Sequence, residues 1–332
     1  MSTRIRQSSK TFPFWLPIVA MLLLVCAGVS AQDTQTIAGF SALMDRPPNV
    51  PPDFVITPFG YFHPSCVHML AEGNTLLADG RVEHLDGTIE AAPVCSFPHY
   101  TSTGIMVPVD PTALRGIPPT INGWLEYVSV TTSSSYYKIA ATWKVPPSPT
   151  TNDGQCDYFF PGFEDNTNVQ SIVQPVMQWG PGCYISAGAY WLVASWNCCM
   201  SGTTWYSTPV DVNVGDTIKG TISPTCKPGK KYCATWNVMT KDVTTGQKTT
   251  LAKTPANGQS WNWAFGAVSE DYGVTQCSDF PNNSGLTFTV QLYDQEGKLI
   301  SNPNWQGAQV TNGPPACKYG WKITRTKETV KY

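Results

Sequence analysis

Apolar and polar residues alternate at a spacing of two through much of the second part of the chain. The stretch 136–145 is the clearest case, because its apolar residues share one face of an extended strand, namely Tyr137, Ile139, Ala141, Trp143 and Val145. Similar runs at 216–223, 232–240, 286–294 and 319–325 are separated by turns that contain Gly. Many short strands joined by turns predict an all-β fold, an antiparallel two-sheet β-sandwich of the concanavalin-like or jelly-roll-like kind.

The pattern changes near residue 119, where we place a domain boundary. Residues 1–31 combine a basic start, an apolar run and the small residues Val29-Ser30-Ala31, which predicts a signal peptide and a secreted protein. Residues 32–119 are rich in Pro and in turn sequences, and end near Gly116-Ile-Pro-Pro-Thr, which is typical of an extended linker. We therefore expect a distinct N-terminal region at 32–119 and a β-sandwich domain at 120–332.

Composition excludes several classes of protein. Only 13% of the 332 residues are charged, 12 residues are Trp, and the net charge is -2, which is unlike a disordered chain or a nucleic-acid-binding protein. The 28 Pro and 27 Gly residues argue against a helical bundle. We expect a monomer that binds neither nucleic acid nor, after removal of the signal peptide, a membrane.

The cysteines predict disulfide bonds. Of the 11 cysteines, Cys26 lies in the predicted signal peptide, and an even number of ten remains. An even number in a secreted chain is typical of a disulfide framework. Cys226 and Cys233 flank a turn and are one plausible pair, and Cys66 with Cys95 is another.

The four histidines all lie before residue 100, at His63, His68, His84 and His99. The predicted sandwich therefore cannot supply a Ser-His-Asp triad, a Cys-His pair or an H-E-x-x-H zinc site of its own. A metal site made of the four histidines with Cys66 and Cys95 is an alternative, but the spacing fits no common zinc pattern. We expect no metal or cofactor, which leaves carboxyl groups, amides and Tyr for acid–base chemistry.

Three short stretches of the sandwich carry such groups, around Glu164, around Gln174 and Gln178, and around Glu270. Gln174 and Gln178 lie an even number of residues apart and would share one face of a strand. Pro175 between them predicts a sheet edge or a bulge, because Pro cannot donate to a strand ladder. The simpler alternative is that each Gln occupies an ordinary solvent-facing strand position.

Five segments of residues 121 to about 293 occur in an order that is known from one enzyme family. They are Ala140-Ala-Thr-Trp143-Lys-Val-Pro146, Phe160-Pro-Gly162-Phe-Glu164, Ile172-Val-Gln174-Pro-Val176, Ala189-Tyr-Trp191, and Ser269-Glu270 followed by Phe280-Pro281. In this order they resemble the glutamic peptidase family, the eqolisins. Glu164 and Gln178 stand where that family has Asp. The resemblance implies a two-sheet sandwich with a concave substrate face and a removable N-terminal prosegment, which would be residues 32–119.

The same resemblance implies a secreted acid endopeptidase, made as a zymogen, that acts on polypeptides. Glu270 would take a proton from the attacking water, and Gln174 would donate its amide N–H to the oxyanion. Glu164 and Gln178 would support the water or this pair. Trp143 and Trp191 would form the floor of the substrate groove, and the alternative for both is packing in the core.

Two other functions remain compatible with the residues. A concave sheet lined with Trp, Tyr and amides also suits a non-catalytic carbohydrate-binding sandwich. A glycoside hydrolase would need two carboxyl groups across a cleft, with Glu164 and Glu270 as the available pair.

Overall fold

A computed structural model describes residues 35–36, 46–109, 124–167, 171–185, 188–198, 202–309 and 317–332. The predicted signal peptide and the predicted boundary near residue 119 lie outside these residues. The described residues belong to one structural unit, Thr34–Tyr332.

Strands form nearly all of the regular structure and are numbered along the chain. They are β1 (Gln35–Thr36), β2 (Val55–Thr57), β3 (Gly60–Phe62), β4 (Val67–Leu70), β5 (Thr75–Leu76), β6 (Arg81–Glu83), β7 (Ile89–Ala91), β8 (His99–Tyr100), β9 (Met106–Val107), β10 (Trp124–Thr131), β11 (Lys138–Lys144), β12 (Cys156–Glu164), β13 (Ile172–Trp179), β14 (Trp191–Cys198), β15 (Thr204–Ser207), β16 (Val210–Asp211), β17 (Thr217–Pro224), β18 (Thr235–Asp242), β19 (Lys248–Pro255), β20 (Trp263–Tyr272), β21 (Leu286–Tyr293), β22 (Gln306–Gln309), β23 (Gly320–Ile323) and β24 (Lys327–Lys331). Short 3-10 helices occur at Pro64–Cys66 and Cys277–Asp279. Within the described part of the chain, no helix has the length and apolar character needed to cross a membrane.

Two large sheets pack face to face. The ten-stranded sheet has the order β1-β22-β10-β20-β12-β13-β14-β15-β4, with β16 paired to β14, and the seven-stranded sheet has the order β19-β18-β17-β11-β21-β24-β23. Neighbouring strands are antiparallel except in the pairs β1–β22 and β4–β15. The predicted antiparallel two-sheet β-sandwich is confirmed.

Period-two alternation decides which side chains fill the space between the sheets. In β11, Ile139, Ala141 and Trp143 belong to the core between the sheets, as the alternation predicts. In β13, Val173 and Met177 point into the same core, while Ile172 and Val176 point to the other side. We call this core side of the ten-stranded sheet the inner face and its opposite side the outer face.

Pro175 does not lie on a sheet edge, because β13 is a central strand between β12 and β14. The β12–β13 pairing is interrupted between Phe159↔Met177 and Phe163↔Val173, and Pro161 and Pro175 occupy this interval. The missing N–H groups of the two prolines therefore fall where the ladder has a gap, next to a register shift in β12. On the inner face Pro175 meets Gly220, where an added Cβ would lie 2.5 Å from its Cγ.

Residues 46–109, which we call the N-terminal segment, cover part of the sandwich. They contribute β4 to the edge of the ten-stranded sheet, beside β15, and form two small sheets of their own, β2-β3-β8-β9 and β5-β6-β7. Apolar side chains of the segment, among them Phe54, Phe59 and Phe62, pack in one cluster with residues of the outer face.

Both predicted disulfides are present, Cys66–Cys95 and Cys226–Cys233, together with Cys156–Cys183 and Cys277–Cys317. Four disulfides are typical of proteins that fold in an oxidising compartment. Among these described disulfides, none links the N-terminal segment to residues 124–332. The segment is therefore held on the sandwich by packing and hydrogen bonds.

Candidate active site

Four of the predicted site residues, Glu164, Gln174, Gln178 and Glu270, lie on the outer face of the ten-stranded sheet. The alternation along each strand shows this, because their neighbours at a spacing of two belong to the outer cluster, as do Ile172 and Val176 beside Gln174. All four side chains are buried. Burial of so many polar groups on one face requires partners or a function, since an unpaired buried polar group is costly.

Glu270 is held by two donors. The Trp124 Nε1 donates to Oε2 at 2.9 Å, and the Tyr272 hydroxyl donates to Oε1 at 2.5 Å. Burial raises the pKa of Glu270 well above its ordinary value, although both hydrogen bonds act to lower it. Burial thus favours the neutral, protonated form of this carboxyl group while it remains covered.

Gln178 lies level with Glu270, because Tyr158 of β12 pairs with both residues across its two edges. Two strand spacings separate Glu270 and Gln178, or about 10 Å between their Cα atoms. Neither atom of the Gln178 amide has a hydrogen-bond partner. Gln178 and Glu270 therefore flank Tyr158 on one level of the outer face.

Gln174 lies four residues further along β13, level with Gly162 and Phe265 rather than with Glu270. Two strand spacings across and four residues along place the Cα atoms of Gln174 and Glu270 about 16 Å apart. The structure therefore does not bring Gln174 and Glu270 into direct contact. Instead, Gln174 Nε2 donates to the main-chain carbonyl of Pro58 at 2.6 Å.

Glu164 is the carboxyl closer to Gln174. The register Phe163↔Val173 makes Glu164 and Gln174 diagonal neighbours on adjacent strands, with Cα atoms about 8 Å apart. Both oxygens of Glu164 are buried without a hydrogen-bond partner, and so is Gln174 Oε1. Burial raises the pKa of Glu164 well above its ordinary value.

Trp143 and Trp191, the predicted substrate-binding residues, lie in a different place. Both belong to the core between the two sheets, Trp143 from the seven-stranded sheet and Trp191 from the ten-stranded sheet, and are 2% exposed. Trp143 Nε1 contacts Met177 Sδ at 3.4 Å, and its ring packs on Phe288. These are packing positions, separated from Gln174 and Glu270 by the thickness of the sheet.

The hairpin formed by β2 and β3 lies over the outer face and presents main-chain carbonyls to it. The carbonyl of Ile56 accepts from the Tyr158 hydroxyl at 3.2 Å and from the Tyr184 N–H at 3.3 Å. The carbonyl of Pro58, at the turn of the hairpin, accepts from Gln174. Side chains of the outer face, Tyr158 and Gln174, therefore donate to two main-chain carbonyls of the hairpin.

No group of three or more His, Cys, Asp or Glu side chains in the described ranges is arranged to hold a metal ion. The polar side chains of the outer face carry carboxyl groups, amides and hydroxyls. These can bind a carbonyl, take up a proton or donate one.

Several contributors to this face were missed by the sequence analysis. Trp124 lies 146 residues from Glu270, and no local pattern connects them. Tyr272 could have been found, because it lies two residues after Glu270 on the same strand face. Tyr158 and Pro58 depend on the neighbours that the strand order gives them.

Comparisons with known proteins give a partial likeness. No protein-family model matches the chain, and no curated protein matches it. A scytalido-glutamic peptidase, solved with a peptide-based transition state analog, has a TM-score of 0.45 and 16% identity, covering 63% of this chain and 98% of its own. SCP-B of the eqolisin family, solved with the tripeptide Ala-Ile-His, has a TM-score of 0.43 and 15% identity with the same coverage. These values are too low to assign the chain to that family.

Proposed function

We propose that the chain is a secreted acid endopeptidase in which an amide and a buried carboxyl group of the outer face cleave polypeptides. The contact between Gln174 Nε2 and the Pro58 carbonyl carries this proposal. A side-chain amide that binds a main-chain carbonyl beside protonatable carboxyl groups has the parts needed for peptide hydrolysis. The order of sequence segments, which resembles that of the glutamic peptidases, also supports an endopeptidase function.

The reaction needs one base, one donor and one water. An ionised Glu takes a proton from the water, whose oxygen attacks the scissile carbonyl carbon, and Gln174 Nε2 donates to the oxyanion that forms. The protonated Glu then gives its proton to the leaving nitrogen as the carbon–nitrogen bond breaks. A single donor of this type contributes about 3 kcal/mol to the stability of the transition state.

Two carboxyl groups compete for the role of base. Glu270 is the residue that the resemblance implies, and its distance from Gln174 leaves space for a water and a carbonyl between the two side chains. Glu164 lies closer by register and has no hydrogen bond that holds it elsewhere. Either carboxyl group can act as the base in this mechanism, and the substitutions Glu270→Gln and Glu164→Gln distinguish between them.

In this proposal the site is inactive while the N-terminal segment covers the outer face. Pro58 occupies the donor that substrate would need, and burial keeps both carboxyl groups protonated, so that neither can accept a proton from water. Removal of the N-terminal segment would admit water and lower the pKa of both groups. We propose that this segment is the inhibitory part of a zymogen.

The test compares proteolysis of an unfolded protein substrate in mild acid by the wild type and three variants. Gln174→Ala should lose about 100-fold in rate, which corresponds to the loss of one oxyanion donor. Of Glu270→Gln and Glu164→Gln, the variant that removes the base should lose at least as much. Gln247→Ala and Glu296→Gln change exposed side chains and serve as matched controls. A wild type without proteolysis, or full activity in both Glu variants, contradicts the proposal.

A further inference from the structure

His99 is a buried histidine at the centre of the N-terminal segment. It is 5% exposed, its ring stacks on Phe62 at a centroid distance of 4.6 Å, and Phe59 packs at 6.4 Å. Its Nδ1 is buried without a hydrogen-bond partner. The site therefore suits a neutral imidazole and offers no acceptor to a second ring proton.

The surroundings of His99 contain no compensating charge. Burial is the one influence on its pKa, which falls to about 3, and no carboxyl, Lys or Arg of the described residues acts on the ring. Tyr61 of β3 and Tyr100 of β8 are titratable residues of the same small sheet. The ring of Tyr61 packs on Tyr272 and has the Arg46 guanidinium over it, and the ring of Tyr100 packs on Phe54. The faces of the Phe rings attract a cation, but this attraction is smaller than the hydration that a buried imidazolium loses.

A series of neighbouring contacts links His99 to the side-chain amide of Gln174. The ring packs on Phe59, and Phe59 follows Pro58 in the two-residue turn between Thr57 and Gly60. The Pro58 carbonyl accepts the hydrogen bond from Gln174. We therefore expect a positive charge on His99 to disturb either β8, which carries it, or the Pro58-Phe59 turn, whose carbonyl accepts from Gln174.

A second histidine lies where the segment joins the edge of the large sheet. His68 of β4 packs on Trp205 of β15 at a centroid distance of 5.1 Å, and its Nε2 is buried without a partner. Burial lowers the pKa of His68, while a hydrogen bond with the Ser65 backbone acts in the other direction. Two of the places at which the segment contacts the sandwich, the outer face and the edge strand β15, thus lie beside a histidine whose pKa is lowered by burial.

We propose that His99 is the acid sensor that releases the β2–β3 hairpin from the outer face, with His68 as a weaker second sensor. Release exposes the His99 ring to water, where a histidine takes up a proton near pH 6.5. Each pH unit below that value favours the released state by up to tenfold, down to about pH 3. This inference concerns the regulation of the proposed site, but its test does not depend on proteolysis.

The test is hydrogen–deuterium exchange of the full chain between about pH 7 and about pH 4, corrected for the intrinsic exchange rate at each pH. Peptides that span 54–62 should lose protection in the wild type as the pH falls. His99→Phe keeps an aromatic ring in the stack but cannot be protonated, and should keep protection to at least about one pH unit lower. His84→Gln, in the separate β5-β6-β7 sheet, is the matched control and should follow the wild type.

His99→Gln provides a second uncharged variant in case Phe does not fit, with folding checked by thermal unfolding near neutral pH. The proposal is overturned if wild type and both His99 variants lose protection at the same pH. It is also overturned if the wild-type hairpin stays protected to about pH 3. Acid release without any peptidase activity would uphold the sensor and refute the proposed function, so the two failures can be told apart.

Discussion

Asp157 and Asp271 form a pair of carboxyl groups inside the sandwich. They are directly opposed on β12 and β20, on the inner face, so their Cβ atoms lie about 5 Å apart. Ser269 donates to Asp271 Oδ2 at 2.7 Å, and the carboxyl groups of Asp157 and Asp271 form a side-chain hydrogen bond when one of them carries a proton. Burial, and then the neighbouring Asp271, raises the pKa of Asp157 well above its ordinary value, and burial raises the pKa of Asp271 to about 7.

The sign of the pH dependence follows from proton counts. An Asp in the unfolded chain ionises near pH 3.9, whereas the native pair holds its protons to about pH 7. Between these values the native state binds more protons, so the free energy of unfolding falls as the pH rises. Each such group contributes a slope of about 1.4 kcal/mol per pH unit, or about 4 kcal/mol over three units. His99 acts in the opposite direction, because its native pKa is lowered.

Asp157→Asn isolates this contribution. Asn keeps the volume, cannot ionise, and can donate to the Asp271 carboxyl in place of the protonated Asp157. Relative to wild type, the variant should gain about 4 kcal/mol in free energy of unfolding between about pH 4 and about pH 7. Taking the difference between the two proteins cancels the contribution of His99.

Urea unfolding followed by Trp fluorescence at four pH values measures this difference. Asp211→Asn changes an exposed carboxyl on β16 and should keep the pH dependence of the wild type. A difference between Asp157→Asn and wild type that stays constant with pH, within about 1 kcal/mol, would refute the reasoning.

Two further predictions concern packing and cross-linking. Gly220→Ala should destabilise the sandwich by about 1–3 kcal/mol, because its Cβ would lie 2.5 Å from Pro175 Cγ and 3.0 Å from the Trp143 ring, and thermal unfolding measures the loss. Replacing Cys66 and Cys95 by Ala opens a loop of 29 residues and should lower the stability of the folded N-terminal segment by about 3–4 kcal/mol. Hydrogen–deuterium exchange of the β2–β3 amides measures this loss, and an unchanged exchange rate would contradict the prediction.

The alternation of apolar residues was sufficient to predict the sandwich, because strand faces depend on local sequence. Alternation tells which residues share a face, and it placed Gln174 and Gln178 together correctly. It does not tell which of the two faces meets the other sheet. Of the two roles considered for Trp143 and Trp191, substrate binding and core packing, the structure shows the second, because both fill the space between the sheets.

Strand order and register explain what the sequence could not provide for the site. Glu270 lies level with Gln178 because β12 separates β20 from β13, and this pairing joins residues far apart in the chain. Pro175 was expected at an edge or a bulge, but a second proline, Pro161, faces it across a gap in the ladder. Local rules for proline do not anticipate two prolines that share one interruption.

The parallel pairing of β4 with β15 has a consequence for any form of the protein that loses the N-terminal segment. While β4 is present, it supplies hydrogen-bond partners along residues Thr204–Ser207. Its departure would leave the free N–H and C=O groups of β15 at an open sheet edge, which is a template for pairing with a strand from another chain. If the segment is removed as proposed, the sandwich would therefore be prone to self-association at this edge, which β4 covers while the segment is in place.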